Sequence, residues 1–450
     1  MSKTIRIRRG LDIRLKGHAE KVLVQTDPAK VVAIKPTDIH GLTPKLLVKA
    51  GDKVQAGSPL FYDKYNERIV FTSPVSGEVA DVVRGDKRRI MEVRILADRT
   101  TDHIDFGSGD PASMDRDAVM DKLMKSGAWP LIRQRPFDVV ADPRQMPKAI
   151  MVSAFDTRPL APDLDFIIRN SGDDLQTGLD ALGRLTTGRV HLNVSTSTTA
   201  REFLDAKRVQ HNTFSGPHPA GNVGVQIHHL DPLSKGESVW VVGLQDVLVI
   251  GRLFRTGKFD PTRIVAVTGS EARNPKYFRT IQGTLMSALT GEVSAGTRVV
   301  SGDPLSGTRV DASGFLGYYD TQVTLLPEGD EPKFFITEGW ASPGFDKFSA
   351  SHSFPTWLMP GKQYSLDTNQ NGEERAFVMS GQYEKVFPFD IYPVHLIKAI
   401  MINDIDQMEK LGLIEVAPED FALCEFVCTS KINSQDIVRR GLDVLKKETT

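Results

Sequence analysis

Val48-Lys-Ala-Gly51-Asp52-Lys-Val54-Gln-Ala-Gly57-Ser-Pro-Leu60, followed shortly by Ile69-Val-Phe-Thr-Ser73-Pro74-Val-Ser-Gly77-Glu-Val79, decides how the front of this chain folds. Apolar residues alternate toward one side, and Gly, Pro and Asp punctuate the runs, which is the pattern of short strands joined by tight turns. Gly51, Gly57 and Gly77 supply the positive φ that such turns need. The stretch from about residue 30 to 95 therefore reads as all-β.

The two half-motifs resemble the biotinyl/lipoyl-type hammerhead, a barrel-sandwich hybrid. Between them lies Tyr62-Asp63-Lys64-Tyr65, at the hairpin where carrier domains of that type present a modified lysine. A lipoylated Lys64 is the functional reading, and an unmodified hairpin is preferred to it. Lys64 stands farther from Ser73 than the carrier pattern expects, and Tyr65 and Asn66 replace the small residues that leave a carrier tip open.

Outward from this module the chain changes character, and an α+β multidomain protein is expected. Residues 1–100 hold an N-terminal segment and the barrel-sandwich domain; 101–260 mix helices and strands as an α/β, Rossmann-like layer. Residues 261–330 return to short strands and Gly-rich turns, and 331–450 form a linker and a C-terminal helical domain. A helix is predicted over Ser113–Lys125, with Ser113 as cap and Gly127 as terminator. Val239–Ile250 reads as one or two buried strands, since Gln245 and Asp246 make it too polar to span a bilayer. Near the end, Val394, Ile397, Met401, Ile405 and Met408 share one helical stripe, and a second helix runs from about Ser434 to Lys447.

Composition narrows the function. The 450 residues carry a net charge of −1, which argues against a nucleic-acid binder. The N-terminus has no apolar run behind its arginines, so no secretory signal is read and a cytoplasmic protein is expected. Cys424 and Cys428 are the only cysteines, which fits a reducing compartment. Their segment, Ala422–Ser430, has the look of an iron–sulfur ligand stretch, yet a cluster normally takes four thiolates and a zinc site needs further ligands that no nearby histidine supplies.

Other motifs are weaker. Gly107-Ser-Gly109-Asp-Pro-Ala112 matches G-x-G-x-x-A, but no proper strand precedes it and Pro111 interrupts the turn, so it reads as the start of a helix. His218 lies within the Gly/Pro loop Ser215–Gly224 and His228 and Asp231 follow it, without metal-site spacing, and a rigid loop is preferred. Ser126–Phe137 sets Trp129, Arg133, Arg135 and Phe137 beside two prolines, an inventory that suits a flat apolar ligand with carbonyl oxygens as well as it suits packing.

Taken together, Thr4–Asp12, the hammerhead halves, Gly127–Phe137, Ser215–Gly224 with His228–Pro232, and Leu423–Cys428 resemble the NqrA family of the sodium-translocating NADH:quinone reductases. That family is similar to the Rnf complex C subunit and to the flavin-bearing subunit of complex I, which hold flavin on a G-G-A-G-F-P turn. Here Ser126-Gly-Ala-Trp-Pro130 stands instead. The resemblance implies a β-grasp, soluble-ligand-binding-type module around Arg263–Gly269, and a chain without flavin, metal or covalent cofactor. It further implies a peripheral subunit on the inner face of the bacterial cell membrane, in a complex that oxidises NADH, reduces ubiquinone and exports sodium. Membrane subunits and quinone are then the expected partners. Trp129, Arg133 and Phe137, with Lys35 and Asp38, are the candidate quinone residues. A non-catalytic assembly subunit and a lipoyl carrier stay open as alternatives.

Overall fold

The computed structural model describes residues 2–329, 333–334, 336–339 and 341–449. The hammerhead halves fold as two facing antiparallel sheets. One runs in the order Val31–Ile34, Ile90–Ala97, Gly77–Arg84, Lys53–Val54, and the other Pro44–Leu46, Pro59–Asp63, Asn66–Thr72. Val32, Leu60, Phe61, Phe71, Val79, Val93 and Ile95 fill the space between them. Gly51 and Gly57 have φ of 90° and 95°, as the turn reading requires. This is the barrel-sandwich hybrid, and Lys64 sits exposed on its Asp63–Asn66 hairpin.

A seven-stranded sheet forms the middle layer, in the order Lys3–Arg6, Gln210–Ser215, Arg189–Ser195, Ala149–Ala154, Val239–Gly243, Ile132–Arg135, Val139–Val140. Its first five strands are parallel and the last two antiparallel. The apolar run at Val239–Ile250 is not two strands: the chain leaves the strand at Gly243 and continues as the helix Leu244–Thr256. Strand and helix are buried on nearly every side there, so the sequence shows no period to tell them apart. The first predicted helix spans Arg116–Ser126, and its cap is Asp115 rather than Ser113. The Asp115 carboxylate accepts from Ala118 N at 2.8 Å, and Ser113 belongs to a separate turn, Pro111–Ser113.

A fourth sheet, six-stranded, follows the order Thr308–Val310, Thr297–Ser301, Gln322–Pro327, Thr262–Thr268, Lys276–Ile281, Glu20–Gln25. Its core gathers Val265, Val267, Met286, Val299, Leu316, Val323 and Leu325. The first 25 residues thus lend one strand to the middle sheet and one to this sheet before the chain enters the barrel-sandwich.

The C-terminal region is helical: Pro393–Met401, Ile405–Lys410, Ala422–Val427 and Ser434–Thr449. The predicted continuous stripe from Val394 to Met408 breaks in two. Asn403 takes φ 57° and Asp404 caps a new helix by accepting from Gln407 N at 3.0 Å, which turns Met401 out to 54% exposure. Among the described residues, no helix is long and apolar enough to cross a membrane.

Candidate functional site

The helix Arg116–Ser126 ends at Gly127, whose φ is 79°. A Cβ there would lie 2.2 Å from Thr72 Oγ1 of the barrel-sandwich, and that hydroxyl donates to Ser126 O at 3.0 Å. Glycine is needed twice over: for the left-handed turn and for the close approach of two modules.

The turn Trp129–Leu131 comes next. Trp129 is fully enclosed, its Nε1 donating to Ala141 O at 2.8 Å and its ring set edge-on to Trp240 at 5.4 Å. In this conformation Trp129 has no free ring face and anchors the turn from behind. Pro130 O accepts from Tyr319 OH at 2.8 Å, and the Arg133 guanidinium lies 5.1 Å from the centre of the Tyr319 ring.

Lys35 and Asp38 arrive at the same place from the barrel-sandwich. They pair at 3.4 Å across the turn Pro36–Asp38; Lys35 Nζ donates to Phe315 O at 3.1 Å, and Asp38 accepts from Tyr318 N at 2.9 Å. Burial raises the Asp38 pKa, with Lys35 opposing. Tyr318 and Tyr319, which no sequence motif flagged, therefore join Lys35 and Asp38 to Pro130 and Arg133 where the three β-containing modules meet. Phe137 lies elsewhere, packed against the C-terminal helical core, with its carbonyl accepting from Arg439 Nη1 at 2.7 Å.

Behind Arg133 is a buried ionic knot. After the cis Arg135–Pro136 bond, Phe137 and Asp138 both take positive φ, which turns Asp138 back toward Arg133 at 3.2 Å and Arg135 at 3.7 Å; Arg439 adds a third guanidinium at 3.7 Å. Burial works to raise the Asp138 pKa, but the three arginines outweigh it and hold it at about 2. Arg135, only 1% exposed, also reaches Glu419 at 2.6 Å and Asp420 at 3.7 Å. Asp420 is wholly buried, and that burial pushes its pKa up to about 7 despite Arg135. A side chain at Gly224 would put its Cβ 2.4 Å from the Asp420 carboxylate, so the Gly/Pro loop is small where the degenerate cysteine segment docks. The loop, the Trp129–Phe137 stretch and the Glu419–Cys428 segment thus converge on one network, although in sequence they stand as separate motifs.

The metal reading of the loop is not supported by geometry. His228 is held between Glu415 (2.8 Å) and Asp390 N (3.0 Å), His218 faces Thr157 at 3.3 Å, and Asp231 pairs with Lys148 at 3.0 Å. Among the described residues no group of His, Cys, Asp or Glu is arranged to hold a metal ion. Gly107–Ala112 forms no phosphate cradle: Asp110 occupies Ala112 N at 2.9 Å.

Residues 5–98 match the NqrA N-terminal barrel-sandwich hybrid domain, 114–259 the NqrA second alpha/beta domain, and 264–312 the NQRA C-terminal domain. The NqrA protein of the Na(+)-translocating NADH-quinone reductase from Rhodopirellula baltica is 39% identical, with the match covering 98% of both chains. The chain belongs to the NqrA family. Within the family it is also 38% identical to the corresponding proteins of Alcanivorax borkumensis and Shewanella frigidimarina, each over 99% of this chain and 100% of the relative. A solved NAD+-reducing [NiFe]-hydrogenase chain aligns over 48% of each chain at 14% identity and a TM-score of 0.36, a likeness too slight to build on.

Proposed function

We propose that this chain is the peripheral NqrA component of a sodium-pumping NADH:ubiquinone oxidoreductase complex, where it helps to bind quinone or shapes quinone's path and docks on membrane subunits at the inner face of the cell membrane. The names of its full-length relatives support the complex. The observation that carries the quinone part is Arg133, 28% exposed, stacked on Tyr319 and standing near Lys35 and Asp38 at the three-module junction. A guanidinium has more donors than Asp138 occupies, so it can serve a quinone carbonyl, and aromatic faces suit the ring. Trp129 braces the turn from behind in this reading, and Phe137, packed on the C-terminal helical core, lies outside it.

Docking is supported by Phe345, Trp357, Leu358 and Met359, all exposed on the connection to the helical domain. The same surface favours the competing reading of a non-catalytic assembly subunit. The parallel layer is taken as Rossmann-like and the six-stranded module as β-grasp in type. The chain is read as having no flavin, metal or covalent group of its own: Cys424 and Cys428 are buried, and burial pushes the Cys424 thiol up, away from thiolate ligation. Lys64 is read as unmodified, which intact mass checks directly.

Titration of the folded chain with a short-chain ubiquinone, followed by tryptophan fluorescence and calorimetry, tests the proposal. Saturable binding near one equivalent, weakened about tenfold by Arg133→Ala, is expected. No binding by the folded chain makes it an assembly subunit. Unchanged affinity and complex turnover in both Arg133→Ala and Trp129→Ala would remove these residues from the quinone site.

A further inference from the structure

At the amino ends of the parallel strands, away from the junction, lies a cavity of about 300 Å³ lined by Lys3, Lys148, Arg189, His191, Asn212 and Asp231 among others. Its floor is the end of a hydrogen-bonded chain of buried side chains that crosses one face of the sheet. Gln226 Nε2 donates to Gly221 O at 3.2 Å and to Ser153 Oγ at 2.8 Å. A backbone carbonyl only accepts, so the orientation of the Gln226 amide is fixed. Gln226 Oε1 must then accept from Asn193 Nδ2 (2.9 Å), and Asn193 Oδ1 from Asn212 Nδ2 (2.9 Å). Asn212 Nδ2 also points at His191 Nδ1, 3.1 Å away.

The consequence is a tautomer. His191 Nδ1 is an acceptor, so the ring proton sits on Nε2. Burial pushes the His191 pKa down to about 4, which keeps the ring neutral near pH 7. Among the described residues Nε2–H has no protein partner, although His191 is only 8% exposed and lines the cavity. The ring borders the cavity, where an acceptor from outside can reach Nε2–H.

The charge around it is positive. Lys148 is matched by Asp231 at 3.0 Å and Glu237 at 2.7 Å. Among the described residues Lys3 Nζ and Arg189 have no carboxylate partner: they donate to neutral oxygens, Leu230 O at 3.1 Å and Gln210 Oε1 at 2.9 Å.

We propose that this cavity binds a small oxyanion, the phosphate of a monoester or an equivalent carboxylate, with Arg189 and Lys3 supplying charge and His191 Nε2–H the orienting hydrogen bond. The site is independent of the quinone reading. A sheet-spanning chain of amides that ends on an unprotonated Nδ1 is a device for presenting Nε2–H, and two unneutralised cations beside it select an anion.

The test uses the full chain in a chloride buffer, titrated calorimetrically with inorganic phosphate and, separately, with succinate. Nitrogen-15 spectra of the histidine rings are recorded in parallel. Saturable binding of either anion is expected, together with a shift of the His191 Nε2–H resonance and a loss of about tenfold in affinity in Arg189→Gln, a substitution at an exposed strand end. The stronger of the two probes gives the ligand class. A folded chain that binds neither anion overturns the proposal. So does binding that leaves both the His191 resonance and the Arg189→Gln affinity unmoved, because the anion then sits elsewhere.

Discussion

Gly127→Ala is expected to loosen the joint between the barrel-sandwich and the seven-stranded sheet. The new Cβ would meet Thr72 Oγ1 at 2.2 Å, Cγ2 at 2.6 Å and Cβ at 2.9 Å, while the backbone keeps φ at 79°. The left-handed conformation alone costs an L-residue about 1–2 kcal/mol. Overpacking against a fixed strand adds roughly 1–3 kcal/mol. Displacing Thr72 from Ser126 O forfeits a hydrogen bond of about 0.5–1.5 kcal/mol. The total is about 2.5–6.5 kcal/mol. Gly51→Ala is the matched control, since its φ is 90° and nothing lies within 4 Å of the added carbon, so it should cost only the conformational part, about 1–2 kcal/mol. Urea denaturation of both variants, with hydrogen exchange at Thr72 and Ser126, measures the difference. Adding Thr72→Ala to Gly127→Ala should recover much of the overpacking cost, giving a double-mutant cycle far from additive. Equal costs for Gly127→Ala and Gly51→Ala, or an additive cycle, would refute the reasoning.

Arg135→Met strands Glu419 and the buried Asp420 without their cation, and a loss of about 3–5 kcal/mol in denaturation is expected. The Asp138 pKa is held near 2 against an ordinary 3.8, so the stability it contributes is present above pH 4 and fades as pH falls through that interval. Asp138→Asn should therefore flatten the acid side of the stability profile, and a profile parallel to wild type would count against the three-arginine account. Tyr319→Phe leaves Pro130 O without its 2.8 Å donor and should cost about 1 kcal/mol by denaturation. Asp404→Ala removes the cap that separates two C-terminal helices and should cost about 1 kcal/mol, visible as faster exchange at Gln407 N.

What the sequence revealed was local. The barrel-sandwich was legible because alternation and turn glycines both act within a few residues, and the final helix because its buried residues, Ile437, Val438, Gly441, Leu442 and Leu445, recur at helical spacing within one contiguous run. Val239–Ile250 was not legible, since a run buried on all sides carries no period. The break at Asn403–Asp404 was written in the sequence as a cap, but the apolar stripe running across it hid the signal. At the site, Arg133, Lys35 and Asp38 stand out as residue types, yet what joins them is Tyr318–Tyr319, far along the chain. Trp129 looked like a ligand platform because nothing nearby in sequence says that Trp240 and Ala141 close over it.

The placement of the opening strands bears on biosynthesis. Lys3–Arg6 pairs with a strand beginning at Gln210, and Glu20–Gln25 with one beginning at Lys276. At translation rates of about 5–20 residues per second, the Lys3–Arg6 segment waits roughly 10–40 s before its partner exists. In that interval the Lys3–Arg6 strand, with Arg8 and Arg9 just behind it, has no sheet to join. The two strands tie the middle and third modules together, so the opening segment acts as a clasp between them. A tag fused ahead of Lys3 would burden the pairing of that strand with Gln210–Ser215.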